Sequence, residues 1–221
     1  MADINDFIDG KKQTVDSVIK GLYCSFAQGK WNPTDWIMVK NSAWDHFSDH
    51  WVQNRDSIEN PIPQNIHPEK WETSKGDESY TSMVYKKPFR GDLTVRVSLT
   101  FSPRMAPLIL FYSELGKDMA GRRELRNYTE IVFWDQGSNA WNHIYDDSTQ
   151  KKVYHLSAFS EFPLSAETRH TVEVNKKGKA LTIQVNGHKF GYLEHNLPEE
   201  VHLGITGCEG VCRFYDFTVI Q

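Results

Sequence analysis

Between positions 93 and 101 the chain reads Leu93-Thr94-Val95-Arg96-Val97-Ser98-Leu99-Thr100-Phe101, apolar at every odd position and polar or charged at every even one. Successive side chains of a strand point to opposite faces, so this segment turns one face to a core and the other outward. As a helix the same residues would scatter their apolar groups around the axis. The alternation sets in near Tyr80 and returns in Arg213-Phe214-Tyr215-Asp216-Phe217-Thr218-Val219-Ile220. Further strands are predicted at 108–112, 128–134, 141–145, 153–156 and 170–175, separated by clusters of Gly, Asp, Asn and Ser. Asn175-Lys176-Lys177-Gly178-Lys179 joins 171–174 to 181–185, and Asn186-Gly187 is a type I′ turn signal before 188–193. Short, regular strands joined by tight turns predict an all-β chain, a two-sheet antiparallel sandwich.

The first 70 residues read differently. Val15, Val18, Ile19, Leu22, Tyr23 and Phe26 recur at three- and four-residue spacing, which predicts a short amphipathic N-terminal helix over 14–27. Trp31, Trp36, Trp44, Trp51 and Trp71 follow, interrupted by Asn32-Pro33 and Asn60-Pro61-Ile62-Pro63, so this stretch is expected as short elements joined by ordered loops, with its tryptophans capping the core. No linker, repeat or low-complexity tract divides the chain. The expectation is a single β-sandwich domain over 1–221, with the helix and Trp-rich loops of 1–70 packed on it.

At 221 residues and 39% hydrophobic the chain can build a sizeable core, and 13% aromatic content leaves rings over for exposed stacking platforms. Lys and Arg are scattered and the formal charge is -4, which argues against a nucleic-acid partner. No apolar run approaches the ~18 residues of a membrane span, so no membrane partner is expected. The acidic start Met1-Ala2-Asp3-Ile4-Asn5-Asp6 lacks the features of a secretory signal, which gives a cytoplasmic expectation. Cys24, Cys208 and Cys212 form no disulfide framework, and Cys208-Glu209-Gly210-Val211-Cys212 lacks a second ligand pair for zinc. Asp45, Asp49, Asp146 and Asp147 are calcium-ligand types without an EF-hand loop; neither a metal nor a cofactor is expected. Asn127-Tyr128-Thr129 matches a glycosylation sequon, a triplet common by chance.

Four stretches carry a resemblance over about residues 80–221: Lys87-Pro88-Phe89-Arg90-Gly91-Asp92-Leu93; Tyr128-Thr129-Glu130-Ile131-Val132-Phe133-Trp134-Asp135; 174–187 with its Asn-Gly hairpin; and 204–219, ending Phe214-Tyr215-Asp216-Phe217-Thr218-Val219. In this order they resemble the concanavalin A-like jelly-roll families of bacterial polysaccharide-utilisation loci, the YesU-type and 3-keto-disaccharide hydrolase-like domains. The resemblance implies a jelly roll whose concave sheet face holds a sugar. In the hydrolase-like families the 128–134 strand bears a Glu followed five residues on by Asp, as Glu130 and Asp135 stand here. The Gln two positions after that Glu is replaced by Val132, so identical chemistry does not follow.

The residues themselves suggest a site. Tyr128, Glu130 and Trp134 share one face of their strand, and a carboxylate between aromatic rings suits a sugar, whose hydroxyls donate hydrogen bonds and whose C–H faces lie on rings. Trp141, His143 and Tyr145 share a face of the next strand. The polar loop Asp135-Gln136-Gly137-Ser138-Asn139 joins the two. Carbohydrate-binding candidates are therefore Arg96, Tyr128, Trp134, Asp135, Asn139 and Trp141, with Arg96 able to pair with Glu130 or bind a sugar carboxylate. Glu130 and His143 are the catalytic candidates. A core strand with a paired Glu130 reads equally from these residues, and His143 serves as well as a structural histidine. Hydrolysis of a glycoside takes two carboxyls, and the Glu-x-Asp-x-x-Glu signature of jelly-roll endoglucanases is absent. Three functions stay open: a carbohydrate-binding or carbohydrate-processing protein of bacterial sugar catabolism taking an oligosaccharide or polysaccharide fragment; a glycoside hydrolase or lyase using Glu130; and a laminin-G-like protein-interaction domain.

Overall fold

A computed structural model describes residues 20–41, 48–61, 80–103, 106–146, 148, 149, 151–208 and 210–221. Strands are numbered in chain order. One sheet takes β1 (Gly21–Ser25), β3 (Val52–Gln53), β4 (Ile58–Glu59), β7 (Leu93–Phe101), β12 (His170–Lys177), β13 (Ala180–Val185), β14 (His188–Leu193) and β16 (Cys212–Ile220). The second takes β2 (Trp36–Val39), β5 (Tyr80–Tyr85), β6 (Phe89–Arg90), β8 (Ala106–Lys117), β9 (Arg123–Trp134), β10 (Gly137–Asp146), β11 (Lys151–Glu161) and β15 (Glu200–Cys208). The first sheet runs β14-β13-β12-β7-β16-β4-β3, with β1 also on β16; the second runs β11-β10-β9-β8-β15-β5-β2, with β6 also on β15. The strand ladders are antiparallel, and the whole is the expected all-β jelly-roll sandwich.

The alternation that announced β7 explains why the sheets pack. Val95, Val97, Leu99 and Phe101 point inward with Val172, Val174, Ile183, Phe214 and Phe217, and meet Ile109, Phe111, Ile131, Phe133, Leu203 and Ile205 of the second sheet in one buried cluster. Each such side chain contributes about 1.5–3 kcal/mol by leaving water. Asn186 and Gly187 stand at φ 49° and 83°, as the type I′ turn between β13 and β14 requires.

The N-terminal expectation needs correcting. Residues 21–25 form strand β1, not helix, and pair with β16 from Gly21 opposite Ile220 to Ser25 opposite Asp216; positions 14–19 lie outside the described residues. Leu22, Cys24 and Phe26 alternate inward while Tyr23 is exposed, so the period of two, satisfied by an open strand edge, prevails over the helical spacing. The short elements expected after it are strands, and up to residue 59 they serve both sheets. Trp36 and Trp51 are buried in the core and Trp31 packs against it; Trp44 and Trp71 lie outside the described residues.

The second sheet curls. Lys40, just after β2, bridges Glu124 at the start of β9: its N–H donates to the Arg123 carbonyl at 2.7 Å and its carbonyl accepts from Leu125 N–H at 2.9 Å. Three strands separate β2 from β9 in the sheet order, so the outward face closes on itself at this end and is concave there. Val39, Val84, Leu110, Tyr112, Leu125 and Tyr128 fill the closed end as a small second core.

Candidate functional site on the concave face

Past that closed end, the same outward face continues over β9, β10 and edge strand β11. Trp141 stands opposite Glu130 on β9 and Leu156 on β11; His143 stands opposite Tyr128 and Tyr154. A register shift in the β10–β11 ladder lets both Leu156 and Phe159 accompany this face. The sequence placed Tyr128, Glu130, Trp134, Trp141 and His143 on shared faces of neighbouring strands, and the structure brings them together.

Glu130 and His143 form the floor. Glu130 is 8% exposed and His143 5%. His143 Nε2 lies 3.0 Å from Glu130 Oε1, within ion-pair reach but out of line for a hydrogen bond, and neither ring nitrogen of His143 has a hydrogen-bond partner among the described residues. The imidazole stacks on Tyr128, centroids 4.2 Å apart at 7°, and meets Tyr154 edge-on at 4.9 Å. Asn41 ties the floor to the closed end: it accepts from the Tyr128 hydroxyl at 2.6 Å, and its amide stands 3.5 Å from Glu130 Oε2. Burial, then the negative charges of Glu130 and Glu124, push the Tyr154 phenol above its ordinary range. Glu124 itself is buried and paired with Lys152 at 3.1 Å.

Around the floor lies an apolar platform open to water. Tyr154 is 44% exposed, Leu156 51% and Phe159 52%, and Phe159 stacks on Trp134 at 5.8 Å and 27°. A Cβ on Gly137 would stand 2.2 Å from the Ser160 carbonyl, so only glycine lets β11 approach closely enough beside Phe159. Asn139 belongs to β10, between Val132 and Phe159, with its Oδ1 buried and unpartnered among the described residues. The expected polar loop is shorter than foreseen: Asp135 and Gln136 form the turn, and residues 137–139 already belong to β10. Asp135 fixes its end by accepting Leu164 N–H on its carbonyl at 3.0 Å.

Arg96 is the correction. It lies on β7 in the other sheet, opposite Glu173, and donates to that carboxylate from Nη2 at 2.7 Å and Nε at 3.2 Å. It does not reach Glu130, because alternation fixed which face of its strand it takes and left open which sheet the strand joins. Asn41, Tyr154 and Phe159 were missed. Asn41 is 87 residues from Tyr128, and the β11 residues gain their place from the register shift.

Among the described residues no three His, Cys, Asp or Glu gather as a metal site. Asp146 instead accepts hydrogen bonds from Ser148 and Thr149, which pull its carboxyl down to about 2; Asp45 and Asp147 lie outside the described residues. The sequon triplet lies within β9, where Tyr128 and Thr129 are buried and Asn127 accepts from Tyr145 N–H.

No protein-family model matches the chain, and no curated protein matches it in sequence. Solved structures match in fold. The carbohydrate-binding module CBM66 from Bacillus subtilis superposes with a TM-score of 0.57 at 10% identity, over 85% of this chain and 96% of that one. A Bacillus subtilis protein with a galectin-like fold gives 0.61 at 12% identity, over 90% and 94%. β-Agarase A from Zobellia galactanivorans gives 0.61 at 7%, over 92% and 94%. The fold is thus that of galectin-like and concanavalin A-like jelly rolls.

Proposed function

We propose that this chain is a carbohydrate-binding protein that holds an oligosaccharide across β9, β10 and β11 on the concave face. One observation carries the reading: the exposed apolar strip of Tyr154, Leu156 and Phe159, continued by Trp134 and Trp141, borders a buried carboxylate–imidazole pair. Large contiguous apolar surface on a soluble fold marks a binding site, and aromatic rings beside hydrogen-bonding groups match the two-sided character of a pyranose. Fold neighbours include a carbohydrate-binding module, β-agarase A in complex with oligoagarose, and a κ-carrageenase in complex with an oligotetrasaccharide of κ-carrageenan. The narrower assignment, to the YesU-type and 3-keto-disaccharide hydrolase-like domains of bacterial sugar catabolism, rests on the four ordered stretches from Lys87 to Val219. Three cysteines free of disulfides support work in a reducing compartment such as the cytoplasm.

A glycan array followed by fluorescence titration tests the reading. Oligosaccharide should change tryptophan emission, and Trp134→Ala or Trp141→Ala should each weaken binding by about 1–3 kcal/mol, by analogy with aromatic stacking on other ring ligands, with the circular-dichroism spectrum unchanged. Binding that survives both changes would overturn it. The second reading, a glycoside hydrolase or lyase, is favoured by the 3.0 Å approach of His143 to Glu130.

A further inference from the structure

Behind the concave-face floor, on the opposite side of the same two strands, the sandwich interior turns polar. Thr129 and Asn142 stand directly opposite each other on β9 and β10, on the inward face where their neighbours Ile131 and Ala140 join the main core. Both are buried. Beside them opens a pocket of about 250 Å³ at the rim between the sheets, lined by Phe111, Ser113, Thr129, Asn142, Asn196 and Pro198, and bordered also by Tyr128 and His143 of the two strands that carry the concave-face floor. Polar groups on an inner face lose their hydration and are tolerated where they find partners.

Part of the partnership is internal. Glu194, 4% exposed, accepts from Asn142 Nδ2 at 3.3 Å, Asn196 N–H at 3.1 Å and Ser157 Oγ at 3.0 Å, and forms no ion pair among the described residues. A buried carboxylate held by neutral donors alone is costly, so its retention points to what it orients. It fixes two asparagines that line the pocket. The lining carries hydroxyl and amide groups, which both donate and accept, with Phe111 as an apolar wall and no Lys, Arg, Asp or Glu. Its one ionisable side chain besides the Tyr128 phenol, His143, faces Glu130 on the concave side, so the inward lining suits a neutral, hydroxyl-rich ligand. The volume lies below the ~300–1,000 Å³ of sites for drug-sized ligands, so the occupant is a single small ring.

We propose that this rim pocket is a second binding site, taking one neutral monosaccharide unit on the inward side of the strands whose outward side carries the concave-face floor, and independent of the reading given to that face. Its hydroxyls would bond to Thr129, Asn142 and Asn196, and its C–H face would lie against Phe111.

The test is a nuclear magnetic resonance titration with neutral hexoses and pentoses, each added alone, and with glucuronate as the charged control. The reporters are the methyl groups of Thr129 and Ile144 and the side-chain amides of Asn142 and Asn196, read beside the indole signals of Trp134 and Trp141. At least one neutral sugar should move the pocket reporters saturably, and glucuronate should not. Thr129→Val, which keeps the shape, should raise the midpoint about three- to tenfold as one hydrogen bond is lost. Ser113→Trp, at an exposed rim position, should block the pocket without touching the core. Trp141→Ala should leave the pocket titration intact. The proposal is overturned if no neutral sugar moves the pocket reporters, if they still respond after Ser113→Trp, or if they respond only together with the indoles and vanish in Trp141→Ala. Silent indoles with responding pocket reporters would instead remove the concave-face reading and leave this one standing.

Discussion

Glu130 and His143 face each other where little water reaches either, and the two readings of the concave face part at the carboxylate. Glu130→Gln keeps the shape and removes proton transfer. If the face only binds, affinity should shift modestly in titration; if it hydrolyses glycosides, turnover should fall by about 10²–10⁴-fold with binding retained. We expect the first outcome, because Glu124, the other buried carboxylate acting on Tyr154, is held by Lys152. A different polar pair supports the fold itself. Ser82 and Thr206 bond hydroxyl to hydroxyl at 2.7 Å, both fully buried on β5 and β15. Ser82→Ala should cost about 1–3 kcal/mol in chemical denaturation by stranding the Thr206 hydroxyl, whereas Ser82→Ala combined with Thr206→Val should recover part of that loss. Additive losses would mean that the pair is not coupled. At this scale sequence reading succeeds where two-residue alternation decides, as for Tyr128, Glu130 and Trp134. It misses Asn41, whose place depends on a chain crossing 87 residues away.

Among elements, what alternation conveys and what it withholds are both visible in β7. It assigns Val95 inward and Arg96 outward, yet the partner of Arg96 depends on which strand lies beside it, and that strand is β12 with Glu173. The Arg96 and Asn175 hydrogen bonds hold the Glu173 carboxyl below its ordinary 4.5. A carboxyl lowered by folding stabilises the folded state above its unfolded pKa, and that contribution is lost as the pH falls through the lower folded value. Stability measured by denaturant between neutral and acid pH should therefore fall less steeply below about 4.5 in Glu173→Gln than in the wild type; an unchanged slope would show that the half-exposed pair contributes nothing. Strand β1 shows the converse ambiguity. Over 14–27 the apolar residues fit a helix, while 21–26 alone also fit a strand, and only the open edge of β16 decides between them. The two hairpins were legible because their turn residues state the geometry locally. The pairings of β8 with β15 and of β7 with β16 join distant segments, and no local pattern encodes them.

For the molecule as a whole, the first described strand closes on the last: β1 pairs along β16 from Gly21 opposite Ile220. The same strand receives β4 further along, where Arg213 stands opposite Glu59 and Phe214 opposite Ile58. On the other sheet β2 caps one edge and carries Lys40 across to β9. Residues 80–221, which carry the family resemblance, therefore do not amount to a complete sandwich. Without the preceding segment, β16 and β5 would become bare edges, Phe217 would lose its edge-on contact with Trp36, and Val84, Leu110 and Tyr112 would lose the cover of Val39. Exposed edges and uncovered apolar faces lead to aggregation or to a loosely packed state. A fragment of residues 80–221 should retain strand signal in the far-ultraviolet, lose near-ultraviolet aromatic signal, and bind the dye ANS, whereas the full chain should unfold cooperatively without binding it. The closure also bears on rate, since β1 pairs with a strand roughly 190 residues away, and contacts so distant in sequence slow folding. Gly21→Pro removes an N–H and fixes the backbone beside Ile220; if this pairing forms after the transition state, the change should speed unfolding far more than it slows folding. A fragment of 80–221 that folds cooperatively, with sharp aromatic signal and no dye binding, would show instead that the N-terminal strands are an addition to a sandwich already complete.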